Sequence, residues 1–183
     1  NDTLPSDINV LSAERVPPRF HARHSAVARS YVYQIALRRT AFAKPFVWWV
    51  RENLDLEAIR AASQTFVGFS DFRAFTDDDP DEKSTRVAIE QLTIARHDSL
   101  VLIRVVGSHF PWKMVRRIVG VLAAVGKGEI PPGQVGPLLT AQQGRSEEPA
   151  RLTAPASGLF LERVFYAPPP GEWPLEPPIL RLS

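Results

Sequence analysis

The chain has 183 residues, 44% of them hydrophobic and 23% charged, with a net charge of +2, which is the composition of a globular protein with one sizeable domain. It contains no cysteine, so disulfides, thiolate metal sites and thiol nucleophiles are excluded; no apolar run approaches the length of a membrane span, and no signal peptide is legible, so a cytoplasmic setting is expected. The charge is uneven, at +5 over residues 1–51, −6 over 52–100, +5 over 101–128 and −2 over 129–183.

Ile8 to Val16 alternates as a strand would, and Pro17-Pro18 ends it. Tyr31, Tyr33, Ile35 and Leu37 share one face of a second strand, with Val32, Gln34 and Ala36 on the other. Phe46 to Val50 reads as a short aromatic strand. Asp55 is an N-cap for a helix with Ile59, Ala62 and Phe66 on its apolar face, ending at Gly68. Residues Asp77, Asp78, Asp79, Asp81 and Glu82 surround Pro80 and read as a solvated, mobile loop. Val87 to Arg96 and Leu100 to Val106 form a hairpin about His97-Asp98-Ser99. A helix from about Trp112 to Val125 is stopped by Gly126 and Gly128, a further helix lies near Gln134 to Gln143, and Leu159 to Phe165 is a final strand. Strands and helices follow one another without regular alternation, which predicts an α+β fold with an antiparallel sheet flanked by helices. Residues 1–166 are read as one domain and 167–183 as a proline-rich extended tail.

The helix from Trp112 carries the most information. Met114, Val115, Ile118, Val119, Leu122 and Val125 form an apolar side, while Lys113, Arg116, Arg117 and Gly120 fall on the opposite face. That face reads either as a solvated ridge or as a basic surface meeting RNA. A glycine exposed on a helix costs about 1 kcal/mol relative to alanine, so its presence suggests that something approaches the backbone there. The two basic segments, folded together, would form a positive face that attracts phosphate; dispersal over the surface is the equal alternative.

Five short motifs, in order along nearly the whole chain, carry a resemblance. They are Leu4-Pro5-Ser6-Asp7-Ile8, then Phe20 to Ala26 with Arg29-Ser30-Tyr31-Val32-Tyr33, then Val67-Gly68 with Asp71-Phe72 and Phe75, then Met114 to Gly120, and finally Thr153-Ala154-Pro155-Ala156 with Gly158, Leu159 and Leu161. Together they resemble the C-terminal part of the TruA family of tRNA pseudouridine synthases. The resemblance implies a pseudouridine-synthase-like fold and isomerisation of uridine in the anticodon stem-loop of tRNA, without metal or organic cofactor. It also implies a homodimer that holds tRNA across two subunits. Tyr31 matches the tyrosine that stacks on the flipped uracil, and Arg116 the arginine that pairs with the catalytic aspartate. Leu159 is a candidate for the apolar wall of the pocket, and Lys113, Arg117, Arg23 and Arg29 are candidates for RNA binding.

The nucleophile of that family lies in an Arg-Thr-Asp motif ahead of the Leu-Pro-x-Asp-Ile segment, and no Arg-Thr-Asp occurs in this sequence. The expectation is a C-terminal portion that is inactive by itself; the alternative is a noncatalytic RNA-binding or dimerisation module of the same descent. Ser108 to Lys113 stands where the family commonly has Asn-Ala-Phe-x-His-His, which puts the RNA contacts in doubt. His21 and His24 have no third ligand at suitable spacing, so no metal site is expected.

Overall fold

The computed structural model describes residues 1–140 and 147–179. Six strands, β1 (Ala28–Ala36), β2 (Trp48–Trp49), β3 (Gly68–Asp71), β4 (Arg86–His97), β5 (Leu100–Gly107) and β6 (Leu159–Phe165), form one sheet. Among the described residues four helices accompany them: α1 (Leu56–Ser63), α2 (Met114–Gly126), α3 (Val135–Thr140) and α4 (Glu148–Arg151). The pairing runs β2-β1-β5-β4-β3, with β6 also on β1. All pairings are antiparallel except the two-residue parallel contact of β1 with β2. The α+β expectation is thus met.

Alternation along β1 sorts its side chains between the two faces of the sheet. Tyr33 and Ile35 enter the main core with Val101, Ile103 and Val105 of β5, Ile59 and Ala62 of α1, and the apolar residues of α2. Val32 and Ala28 point the other way, into two small clusters closed by Leu175 and Trp173. Residues 173–175 are therefore anchored over the back of the sheet, where Arg104 donates to the carbonyls of Trp173 at 3.0 Å and Pro174 at 2.7 Å.

Local chemistry accounts for most element ends. The Asp55 carboxylate accepts from the N–H groups of Glu57 and Ala58, both at 3.0 Å, and so caps α1. The β4–β5 hairpin turns at Asp98, whose φ of 48° is a left-handed value that aspartate tolerates. The sheet also contains one irregularity of consequence. Between Ser30 and Tyr31 the register against β6 slips, so that Ser30 faces Arg163 but Tyr31 faces Leu161, leaving Glu162 as the extra residue of a bulge.

Some sequence expectations are corrected. Ile8 to Val16 is not a strand but an exposed segment without regular structure, because alternation alone supplies no neighbour for its backbone groups. Phe46 lies in a 3-10 turn (Lys44–Phe46), and only Trp48-Trp49 pairs as strand. The helix begun by Asp55 ends at Ser63 and continues as a 3-10 turn to Phe66, short of Gly68. Of the helix expected over residues 134–143, α3 is observed, and positions 141–143 lie outside the described residues.

Candidate active site

Helix α2 begins one residue after Lys113, which has a φ of 65°. For a residue with a side chain that conformation costs on the order of 1 kcal/mol, and surrounding contacts must hold it. They come from the acidic loop. The Trp112 N–H donates to Asp78 Oδ2 at 2.8 Å, Thr76 Oγ1 donates to the Trp112 carbonyl at 3.0 Å, and Lys113 Nζ donates to Asp77 Oδ2 at 2.6 Å. The hydrogen bond from Lys113 is the main reason the Asp77 carboxyl lies below its ordinary range; burial opposes it, and the Arg117 charge adds to it. Asp78 is lowered too, first by the Trp112 N–H and then by Lys83. These two carboxylates are structural tethers, which corrects the expectation of a freely solvated loop.

The basic face of α2 is also different from the one the spacing predicts. Arg117 is turned inward and only 5% exposed. It donates to the carbonyl of Thr76 at 2.7 Å and to Asp77. Gly120 is fully covered, since a Cβ there would lie 1.7 Å from the Leu152 carbonyl oxygen. Residues 152–154 pack across this side of the helix, so the glycine marks a close approach by the chain's own backbone.

That same segment fixes Arg116. Its Nε donates to the Ala154 carbonyl at 2.6 Å, and the Ala154 N–H donates back to the Arg116 carbonyl at 3.1 Å. Among the described residues its Nη atoms have no hydrogen-bond partner. Next to it, the Tyr33 hydroxyl donates to the Pro155 carbonyl at 2.7 Å. Burial pushes the pKa of Tyr33 well above the tyrosine range, with the Arg116 charge opposing, so Tyr33 remains a neutral donor. Gly158 allows this packing, because a Cβ there would come within 2.6 Å of the Tyr33 ring.

Arg116 opens into a cleft of about 840 Å³. Six of the seven site residues picked from the sequence line it: Tyr31, Arg116, Leu159, Lys113, Arg23 and Arg29. Arg117 does not. The Tyr31 ring is half-buried and stands edge-on to Phe110, with centroids 5.2 Å apart at 85°. Arg29 donates to the carbonyls of Ser108 at 2.6 Å and Arg23 at 2.8 Å, holding the 21–26 segment at the rim. Tyr166 supports the same segment through its hydroxyl, 2.9 Å from the Ala22 carbonyl. The lining carries the cations Arg23, Arg29, Lys83, Lys113 and Arg116; Lys83 is paired with Asp78 and Lys113 with Asp77, which leaves the charge of Arg23, Arg29 and Arg116 in excess. Such an imbalance favours an anionic ligand. Because Asp78 already accepts from Trp112 and Lys83, no uncommitted carboxylate faces Arg116 among the described residues.

Sequence reasoning missed Trp112, His109 and Lys83, which also line the cleft. The first two lie in Ser108 to Lys113, visible in the sequence only as a departure from a motif. Lys83 was hidden at the end of an acidic run. The rings of His21 and His24 lie 4.3 Å apart and are tilted by 48°, and the His21 Nδ1 accepts from the N–H groups of Arg23 and His24. No group of three His, Cys, Asp or Glu suited to a metal is found among the described residues, and no helix among them is long and apolar enough to cross a membrane.

Comparison with known proteins gives a consistent result. The tRNA pseudouridine synthase family matches residues 62–167. The tRNA pseudouridine synthase A of Syntrophotalea carbinolica is 40% identical over 170 residues, which are 92% of this chain and 66% of that protein. That of Bacillus licheniformis is 36% identical over 168 residues, 91% of this chain and 67% of that protein. The protein of the same name from Pelobacter propionicus is 38% identical over 168 residues. The chain thus spans about 66% of the length of the first of these relatives.

Proposed function

Because the chain belongs to the tRNA pseudouridine synthase family, we propose that it forms the greater part of the active site of an enzyme that isomerises uridine to pseudouridine in the anticodon stem-loop of tRNA. In this reaction the N1–C1′ bond breaks, the uracil turns and C5 bonds to C1′; the C5 hydrogen leaves and N1 gains one. The observation that carries the proposal is Arg116, held by Nε on a backbone carbonyl with its Nη atoms turned to the cleft that Tyr31 also lines. A guanidinium anchored in this way presents a preorganised pair of donors to a carboxylate.

The Arg116 Nη atoms orient a nucleophilic aspartate and keep it ionised. That aspartate comes from outside these residues in this reading, as the sequence has no Arg-Thr-Asp and the cleft has no uncommitted carboxylate among the described residues. Tyr31 stacks on the uracil once it has left its own stack, which compensates part of an unstacking cost of a few kcal/mol. Leu159 supplies an apolar wall beside the ring, while Arg23, Arg29 and Lys113 meet backbone phosphates. Arg117 supports the site from behind by tying the acidic loop to α2. A homodimer holding tRNA across two subunits, and action in the cytoplasm, belong to the same reading; mass in solution with and without tRNA tests the dimer.

Pseudouridine formation on unmodified tRNA, compared between the 183-residue chain and a protein extended upstream, tests the reading. Activity is expected only in the extended protein, and Arg116→Ala in that protein abolishes it. Near-normal turnover by that variant would remove Arg116 from the mechanism. Activity of the 183-residue chain alone would show that the nucleophile lies within it.

A further inference from the structure

At the mouth of the cleft stands an aromatic side chain whose ring has no partner among the described residues. Trp112 is 65% exposed, yet its backbone is clamped on both sides by Asp78 and Thr76. The next residue, Lys113, is held in the left-handed region by its bond to Asp77. An acidic loop and a strained residue thus hold the backbone that carries one exposed indole beside a cationic cleft. The core does not need this ring, since its apolar neighbours Met114 and Val115 are buried without it. Strain of this kind persists where surrounding contacts impose it, and it collects at ligand sites.

We propose that Trp112 is a second stacking platform, which takes an unpaired base of the RNA next to the one bound at Tyr31. This rests on the function proposed above and adds a contact that sets which sequences around the target are accepted. The cations Arg23, Arg29 and Arg116, which line the same cleft as the indole, argue for a nucleic acid strand over a protein partner. An indole face accepts any base, so the contact is tolerant of base identity and sensitive to whether the neighbouring base can unstack.

The test uses the 183-residue chain and an unmodified tRNA transcript carrying 2-aminopurine beside the target uridine. Trp112→Ala is expected to weaken binding about tenfold, within the range for loss of one base–aromatic stack, and to abolish quenching of the 2-aminopurine. Trp112→Phe keeps the quenching and most of the affinity. The dependence of affinity on salt stays the same in both, because no phosphate contact is removed. Phe69→Ala, which removes an equally exposed ring on β3 outside the cleft, leaves binding unchanged. Wild-type affinity and quenching in Trp112→Ala would overturn the inference while leaving the proposed function in place. So would a loss of self-association in that variant with RNA binding intact, which would assign the surface to a second copy. Failure of the unsubstituted chain to bind tRNA would overturn the inference, whereas the proposed function is overturned by absence of pseudouridine formation in the upstream-extended protein.

Discussion

Replacing Gly120 by alanine tests the way the site is held together. In an isolated helix the change would stabilise by up to about 1 kcal/mol, because alanine has the higher helix propensity. Here the new Cβ would sit 1.7 Å from the Leu152 carbonyl oxygen and 2.7 Å from its carbon. Both atoms are backbone, so no rotamer change relieves the clash, and the 152–154 segment must move by more than 1 Å, on the order of the shortfall from ordinary van der Waals contact. Overpacking of this kind costs typically about 1–3 kcal/mol, and the severity of the contact puts it at the upper end. With the propensity gain subtracted, the expected net loss is about 2 kcal/mol, or a fall in Tm of about 4–8 °C for a domain of this size. The displaced segment includes Ala154, whose carbonyl holds Arg116 Nε. Urea unfolding therefore measures the loss of stability, and pseudouridine formation by the upstream-extended protein measures the loss of alignment. A Gly120→Ala variant as stable as the parent, or more so, would refute the account of why glycine occupies this position.

The back of the sheet offers an independent test. Arg104 is 1% exposed and donates to Glu162 at 2.8 and 2.5 Å. Arg104→Ala leaves the carboxylate without its main partner, and unfolding measurements should show a loss of about 3 kcal/mol or more. Burial tends to raise the Glu162 carboxyl, but hydrogen bonds from Arg104, Ser30 and Trp173, with the Arg104 charge, bring it below its ordinary range. Its contribution is therefore complete above the unfolded value of about 4.3 and is lost as pH falls through the lower folded value. Unfolding between about pH 6 and 3 should show this acid component in the parent but not in Glu162→Gln. In the cleft, Arg23→Ala should weaken tRNA binding at low salt and reduce the salt dependence of log affinity by about one phosphate contact; an unchanged slope would show that Arg23 meets no phosphate.

Much of the architecture was legible in the sequence, because it depends on interactions between near neighbours. The period of two in Tyr31, Tyr33 and Ile35 put those side chains on the helix-covered face of β1, and Asp55 capped α1 as its position predicted. Family motifs then pointed to Tyr31 and Arg116, which the fold brings to one cleft from residues 85 positions apart. What packs against each face was not legible. A period of 3.6 shows that Arg116, Arg117 and Gly120 share a side of α2, but not that residues 152–154 lie across it. Nor does it show that Arg117 turns inward to a loop 40 residues earlier in the chain. The same applies to the acidic run, in which each carboxylate looks solvated until Trp112 and Lys113 approach it. The tail after Ala167 likewise gained its place only through Arg104, Trp173 and Leu175 on the back of the sheet. Local propensity fixes the conformation and periodicity of a segment, whereas burial and charge pairing depend on contacts between residues distant in the chain, and only the folded arrangement supplies those.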